Sequence, residues 1–119
     1  MVLVIDDDEG VRAVMASALE DDGWMVVTAE NGKSALETLT TVRPEAILLD
    51  LRMPVMDGLT FAARYREFPE PRAPLILMSA TVSQSAVEDS GAVAGLRKPI
   101  ELNVLLDVVR EHAEEFRGR

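Results

Sequence analysis

A short apolar run that stops at an aspartate is the feature that most constrains how this chain can fold. Residues 46 to 49, Ala-Ile-Leu-Leu, are followed at once by Asp50 and then by a loop with Pro54 and the turn signal Asp57-Gly58. This pattern predicts a buried strand that carries one carboxylate at its carboxyl end, with Asp57 and Gly58 starting the next helix. In an open parallel sheet, ligands bind in the crevice outside the carboxyl ends of the strands. We therefore expect Asp50 to serve the chemistry of the protein.

A second apolar run ends in acidic residues in the same way. Residues 2 to 5, Val-Leu-Val-Ile, precede four consecutive acids that begin with Asp6 and Asp7 and continue with Asp8 and Glu9 on the solvent side. If the two runs form neighbouring parallel strands, Asp6, Asp7 and Asp50 converge on one pocket. Carboxylates held this close repel one another unless a cation lies between them, and such oxygen ligands suit Mg²⁺. The sequence therefore predicts a metal site.

Predicted helices and strands alternate along the whole chain. Apolar residues at helical spacing predict helices from residue 11 to just before Gly23, over 33–41, over 58–68 and from 102 to 113, where a polar tail follows. In the helix over 58–68, Leu59, Ala62 and Ala63 are expected to face inward. A further helix over 83–89 is predicted only weakly. Further strands are predicted over 24–28, 75–78 and 93–97, the last interrupted by Gly95. Five strands that alternate with five helices favour a parallel sheet covered on both faces.

Length and composition restrict the class of protein. A chain of 119 residues fits one domain with a core of its own, and the absence of cysteine excludes disulfides and thiolate sites. No apolar run is long enough to span a bilayer, so we expect a cytoplasmic protein with no membrane contact. Twelve basic against 21 acidic residues give a net charge of −9, which disfavours direct binding of nucleic acid by this segment.

Four segments, in this order, resemble the receiver domain of two-component response regulators: VLVIDDDEGVR, ILLDLRMPVMDG, LILMSAT and RKP. The resemblance covers essentially the whole chain, and a single receiver domain is expected over residues 1–119. It implies an α/β fold of the flavodoxin-like, doubly wound kind, with a five-stranded parallel sheet in the order 2-1-3-4-5 and five helices.

The resemblance also implies a phosphorylation site at the predicted strand ends. Asp50 would be the phosphoacceptor that takes a phosphoryl group from the phosphohistidine of a sensor histidine kinase or a phosphotransfer protein. Mg²⁺ would be held by Asp6, Asp7, Asp50 and the backbone carbonyl of Arg52. A downstream effector protein or an appended output domain would receive the signal, and both a free-standing receiver and part of a longer regulator fit the sequence.

The other site residues implied by the resemblance follow the fourth and fifth strands. Lys98 would place a positive charge on the phosphoryl oxygens, Ser79 would donate a hydroxyl hydrogen bond to one of them, and the bond from Lys98 to Pro99 would be cis. Arg52 and Thr81 lie two residues beyond Asp50 and Ser79, where the family tunes the attack of water on the phosphoryl group.

One position departs from the family pattern. Receivers typically carry Tyr or Phe three residues before the lysine, and that ring moves together with the hydroxyl of the fourth strand; here the residue is Gly95. Without the ring, another element must carry the signal. We expect this role for the weakly helical segment 81–91, because its low helix propensity means that little free energy is needed to unfold or shift it locally.

Three other interpretations compete with a receiver. A phosphatase of the haloacid dehalogenase type also uses an aspartyl nucleophile and Mg²⁺, and residues 6 to 10 approach its Asp-x-Asp-x-Thr/Val signature except that Gly10 stands at the last position. A nucleotide-binding flavodoxin-like module would need a Gly-rich phosphate loop in the first turn, where acids stand instead. An interaction domain with an inactive site would not need all three acids and Lys98.

Overall fold

The computed structural model describes residues 1 to 118, and within them five parallel strands form one sheet in the order β2-β1-β3-β4-β5. The strands are β1 (Val2–Ile5), β2 (Val26–Ala29), β3 (Ala46–Asp50), β4 (Leu75–Ser79) and β5 (Ala94–Arg97). The helices of the described range are α1 (Glu9–Asp21), α2 (Gly32–Thr38), α3 (Gly58–Tyr65), α4 (Gln84–Ser90) and α5 (Leu102–Arg117). The predicted α/β architecture and strand order are confirmed, and none of the described helices has the length and apolar character needed to cross a membrane.

The core has two layers, one on each face of the sheet. Side chains of a strand point alternately to the two faces, so Leu3 and Leu49 belong to one apolar cluster while Val4 and Leu48 belong to the other. The three central strands are buried along their whole length. This double burial explains why they read in the sequence as continuous apolar runs rather than as alternating patterns.

The first four helices begin at a side-chain cap. In each, an oxygen of the capping residue accepts a hydrogen bond from the backbone N–H three residues later, which satisfies one of the free donors at a helix start. The capping residues are Asp8, Asn31, Asp57 and Ser83. The role predicted for Asp57 is therefore confirmed, and Asp8 caps α1 in addition to facing solvent.

The inward face of α3 differs from the prediction. The buried residues are Phe61, Ala62 and Tyr65, whereas Leu59 is 46 % exposed and Ala63 is also exposed. The sequence prediction for Leu59 and Ala63 was wrong because the stacked rings of Phe61 and Tyr65, with centroids 6.0 Å apart, occupy the face toward the sheet.

The ends of three elements also differ from the predicted bounds. Strand β2 starts at Val26 rather than at residue 24, since the N–H of Trp24 donates to a carbonyl of α1 and closes that helix. Helices α2 and α3 end three residues earlier than predicted.

The last helix α5, by contrast, continues to Arg117 through most of the predicted polar tail. The guanidinium of Arg117 pairs with Glu45 and lies 5.0 Å from the ring centroid of Trp24. These contacts hold the end of α5 against the amino end of β3.

Gly58 allows α3 to begin directly against the end of β3. A Cβ placed on this residue would lie 2.7 Å from the carbonyl oxygen of Asp50 and 2.8 Å from the Cα of Leu51. We predict that Gly58→Ala destabilises the fold by about 1–3 kcal/mol, because backbone atoms cannot yield as a side chain does. Urea denaturation measures this, and Gly118→Ala, whose Cβ would meet nothing closer than 3.6 Å, is the matched control. Equal midpoints for the two variants would contradict the prediction.

Candidate functional site

The carboxyl ends of β1 and β3 bring three aspartates together. Asp6 follows β1 and Asp50 ends β3, and the parallel pairing of these strands places Ile5 beside Leu49. One carboxylate oxygen from each of Asp6, Asp7 and Asp50 lies within 4.8 Å of the other two. Asp6 and Asp50 are buried, whereas Asp7 is exposed. The three acids that the sequence placed at strand ends thus form one cluster, open to solvent on the side of Asp7.

The ammonium group of Lys98 reaches this cluster from the loop after β5. Its Nζ lies 2.8 Å from Oδ2 of Asp6 and 3.5 Å from Oδ1 of Asp50. The backbone N–H of Lys98 donates to the carbonyl of Ser79 at 2.8 Å, and the bond between Lys98 and Pro99 is cis. Lys98 of the protein itself thus supplies part of the positive charge that the crowded acids require.

Backbone N–H groups fix the two buried carboxylates, and an arginine holds the backbone of Asp6. The N–H of Asp8 donates to Oδ1 of Asp6 at 2.9 Å, and the N–H of Arg52 donates to Oδ1 of Asp50 at 3.3 Å. The guanidinium of Arg12 donates to the backbone carbonyl of Asp6 at 2.6 Å. Sequence reasoning missed Arg12, and the only available signal was its place one turn into the helix that follows the acids.

Ser79 stands at the same edge of the sheet, on the next strand. Asp50 pairs with Met78 of β4, so Ser79 lies one residue beyond the partner of Asp50. Its side chain is buried, and its Oγ accepts a hydrogen bond from the N–H of Thr81 at 3.3 Å. A hydroxyl that accepts one hydrogen bond can still donate its own hydrogen, which is the property that contact with a phosphoryl oxygen would require.

The crowding of like charges changes the acidity of the site. Burial, together with the negative charge of Asp6, raises the pKa of Asp50 to about 6, although Lys98 and the N–H of Arg52 oppose the shift. Burial lowers the pKa of Lys98, but the hydrogen bond and charge of Asp6 outweigh this effect and the pKa is raised overall. A cation bound beside Asp50 would therefore favour its charged form.

The residues of the cluster fit a divalent metal ion. Three carboxylates against one ammonium leave two negative charges when all of them are ionised. The ligand atoms are hard oxygens, and an exposed acid beside two buried ones leaves an open side for water or phosphate ligands. This is the donor set that Mg²⁺ prefers in proteins, where it is usually held by a few carboxylates and keeps several other ligands.

A family model for the response regulator receiver domain matches residues 2–110. The chain belongs to this family. It is 29% identical over 114 residues to sporulation initiation phosphotransferase F of Bacillus subtilis, with 93% of this chain and 91% of that protein covered. It is 35% identical over 112 residues to regulatory protein AtoC of Escherichia coli, which covers 92% of this chain and only 24% of that protein. The chain therefore spans nearly all of one relative and about a quarter of the other.

Solved structures agree with the family assignment. The chemotaxis response regulator CheY4 of Vibrio cholerae is 29% identical and superimposes with a TM-score of 0.86, covering 93% of this chain and 96% of that one. As a receiver domain, the protein has a phosphoacceptor role in signalling. The competing interpretation as a haloacid dehalogenase-type phosphatase is not supported.

We predict that Mg²⁺ stabilises the protein and does so more strongly at high pH. A hundredfold excess over Kd contributes about 2.7 kcal/mol, which should raise the melting temperature by roughly 10 °C. A raised pKa means that the proton competes with the metal for Asp50, so the gain should be largest above about pH 6 and should fall as the pH drops toward roughly 5.

Thermal melts with and without Mg²⁺, at one pH above about 6 and at one of roughly 5, measure this effect. Asp6→Asn should reduce the shift strongly, whereas Asp57→Asn, which keeps the cap of α3, should retain it. A shift that is the same at both pH values and in both variants would mean that the ion binds elsewhere.

Proposed function

We propose that Asp50 is the residue that accepts the phosphoryl group, from a phosphohistidine on a sensor histidine kinase or phosphotransfer protein. The observation that carries the proposal is the position of this buried carboxylate at the end of a central strand, 3.5 Å from Lys98 and within 4.8 Å of the other acids. Phosphoryl transfer depends mainly on alignment and charge neutralisation, and both are available at this point of the sheet.

The transfer exchanges one bond to phosphorus for another. A carboxylate oxygen of Asp50 forms a bond to phosphorus as the bond from phosphorus to the imidazole nitrogen breaks. The electron pair of the broken bond stays on the nitrogen, which then takes a proton from solvent. Lys98 and the hydroxyl of Ser79 donate hydrogen bonds to the phosphoryl oxygens.

The same edge of the sheet would hold the metal ion. Asp6, Asp7, Asp50 and the backbone carbonyl of Arg52 are the proposed ligands, and Mg²⁺ bound there would neutralise charge on the phosphoryl oxygens. No catalytic histidine is required. The lone histidine of the chain, His112, lies on α5 and pairs with Glu115 of the same helix at 3.7 Å.

Decay of the phosphorylated state would complete the signalling cycle. Water attacks phosphorus, the bond to Asp50 breaks, and inorganic phosphate and the carboxylate are released. Arg52 and Thr81 are exposed and flank the site, so their side chains can screen the phosphoryl face from water. In this sense the domain assists both its own phosphorylation and its own dephosphorylation, and it turns over no separate substrate.

The partners follow from this chemistry. A kinase or phosphotransfer protein supplies the phosphoryl group, which favours action in the cytoplasm. The net charge of −9 favours protein partners over nucleic acid for this segment. A separate effector or an appended output domain reads the state, and the longer relative AtoC supports the second arrangement. We infer a single receiver domain over residues 1–119, supported by the family match over residues 2–110.

Incubation with acetyl phosphate and Mg²⁺ should add one phosphoryl group, at Asp50. Asp50→Asn should abolish the labelling because the amide is a poor nucleophile, while Asp57→Asn in the following loop should label like the parent. Intact-mass spectrometry followed by peptide mapping measures both. Full and stoichiometric labelling of Asp50→Asn would show that the nucleophile is another residue.

Spontaneous hydrolysis of the phosphorylated protein should be slow, because the cationic Arg52 side chain screens the phosphoryl group. Arg52→Ala should shorten the half-life, by up to about tenfold if one contact of about 1.4 kcal/mol is lost. Thr81→Ala removes a smaller side chain and should have a smaller effect. Release of inorganic phosphate over time provides the measurement, and identical decay in both variants and the parent would remove these side chains from the mechanism.

A further inference from the structure

The place of the missing aromatic ring is taken by a valine from a different element. Gly95 pairs with Leu77 on β4, so a side chain at position 95 would point to the sheet face that carries Leu77 and the α4 residue Val87. A Cβ placed on Gly95 would lie less than 3.0 Å from Cγ1 of Val82 and 3.2 Å from Cγ2 of Val87. The two valines therefore occupy the space above Gly95, and only glycine leaves room for both.

These two valines are also in the positions of a hydrophobic staple. Ser83 caps α4, so Val82 is the residue just before the cap and Val87 is the fourth residue of the helix. An apolar contact between these two positions fixes the angle at which the chain enters a helix. Helix α4 is only seven residues long and rich in weak helix formers, so its placement depends on the cap and the staple more than on propensity.

The staple is joined to the phosphorylation site by a short path. Val82 is three residues beyond Ser79, and the intervening turn is held by the hydrogen bond from the N–H of Thr81 to Oγ of Ser79 at 3.3 Å. If Ser79 rotates about its Cα–Cβ bond to bring its hydroxyl to a phosphoryl oxygen on Asp50, its Oγ would move away from the N–H of Thr81. The turn that places Val82 above Gly95 then loses the contact that fixes it.

We propose that Val82 is the switch residue of this receiver, taking the part of the aromatic ring that Gly95 replaces. This inference rests on the proposed phosphorylation of Asp50. In the unphosphorylated protein, Val82 closes the staple over Gly95 and holds α4 in place. In the phosphorylated protein, the loss of the bond between Ser79 and Thr81 opens the staple, and α4 becomes free to shift or fray.

A double-mutant cycle in the unphosphorylated protein tests the steric part of the switch. Gly95→Ala should expel Val82 and speed amide exchange over residues 84 to 90 several-fold. Val82→Ala should do the same by removing the staple. In the double variant, the new Cβ would meet Cβ of residue 82 at 3.6 Å, an ordinary contact, and Cγ2 of Val87 at 3.2 Å, which a small movement of that side chain relieves. Gly95→Ala should therefore add little to Val82→Ala. Additive effects of the two substitutions would overturn the proposal.

The coupling is tested with beryllium fluoride and Mg²⁺ as a mimic of the phosphoryl group. In the parent and in Val14→Ala, a matched truncation on the exposed face of α1, the mimic should increase exchange over residues 84 to 90. In Val82→Ala this increase should be lost, because the staple is already open. The same increase in Val82→Ala as in the parent would overturn the switch.

Labelling of each variant by acetyl phosphate separates this inference from the proposed function. Normal labelling of Asp50 in Val82→Ala, with the exchange response lost, supports both. Normal labelling with an unchanged exchange response rejects Val82 as the switch and leaves the phosphoacceptor in place. Failure of the parent itself to label Asp50 would reject the proposed function and the switch together.

Discussion

The ion pair between Lys98 and the two buried aspartates is the interaction on which the arrangement of the domain depends. Asp6 is fully buried, and a buried charge without a partner costs several kcal/mol. Nζ of Lys98 lies 2.8 Å from Asp6 and 3.5 Å from Asp50. Lys98 nevertheless follows β5 at the edge of the sheet, and β4 separates that strand from β3, while β4 and β3 separate it from β1. The chain can make these contacts only if β1, β3 and β5 all end at the same edge of the sheet. The same arrangement gathers the functional groups.

That geometry explains why much of the fold and site could be predicted from local patterns. In a parallel sheet the residue after each strand lies at the shared edge, so reading the end of an apolar run locates a side chain in space. Asp6, Asp50 and Lys98 were found in this way and lie together. The strand order was then implied by the resemblance to receivers, since alternation of helices and strands alone permits several orders.

The features that could not be predicted depend on pairs of residues far apart in the sequence. The length of α5 is set by the pairing of Arg117 with Glu45, which are 72 positions apart, and periodicity carries no information about such a contact. The inward face of α3 is chosen by the rings of Phe61 and Tyr65, whereas apolar spacing selected Leu59, Ala62 and Ala63. Gly95 was recognised as a departure, but its consequence appears only when Val82 is seen above it. Local sequence patterns predict the position of a residue on its helix or strand, whereas its contacts are decided by packing against residues far away in the sequence.

The carboxylate site is held rigidly while the nearby helix α4 is weakly stabilised, and this contrast allows added phosphoryl charge to cause a conformational change in α4. The carboxylates are fixed by backbone donors and by Lys98, so added phosphoryl charge is met by hydrogen bonds rather than by movement of the central strands. Ser79 can change partners at little cost, because its present bond to Thr81 is long at 3.3 Å. A ligand shifts an equilibrium only by its differential interaction with the two states. Because α4 is only seven residues long and rich in weak helix formers, a smaller differential interaction should be enough to shift or fray it. A stronger helix at α4 would stabilise the fold and, for the same reason, weaken the response.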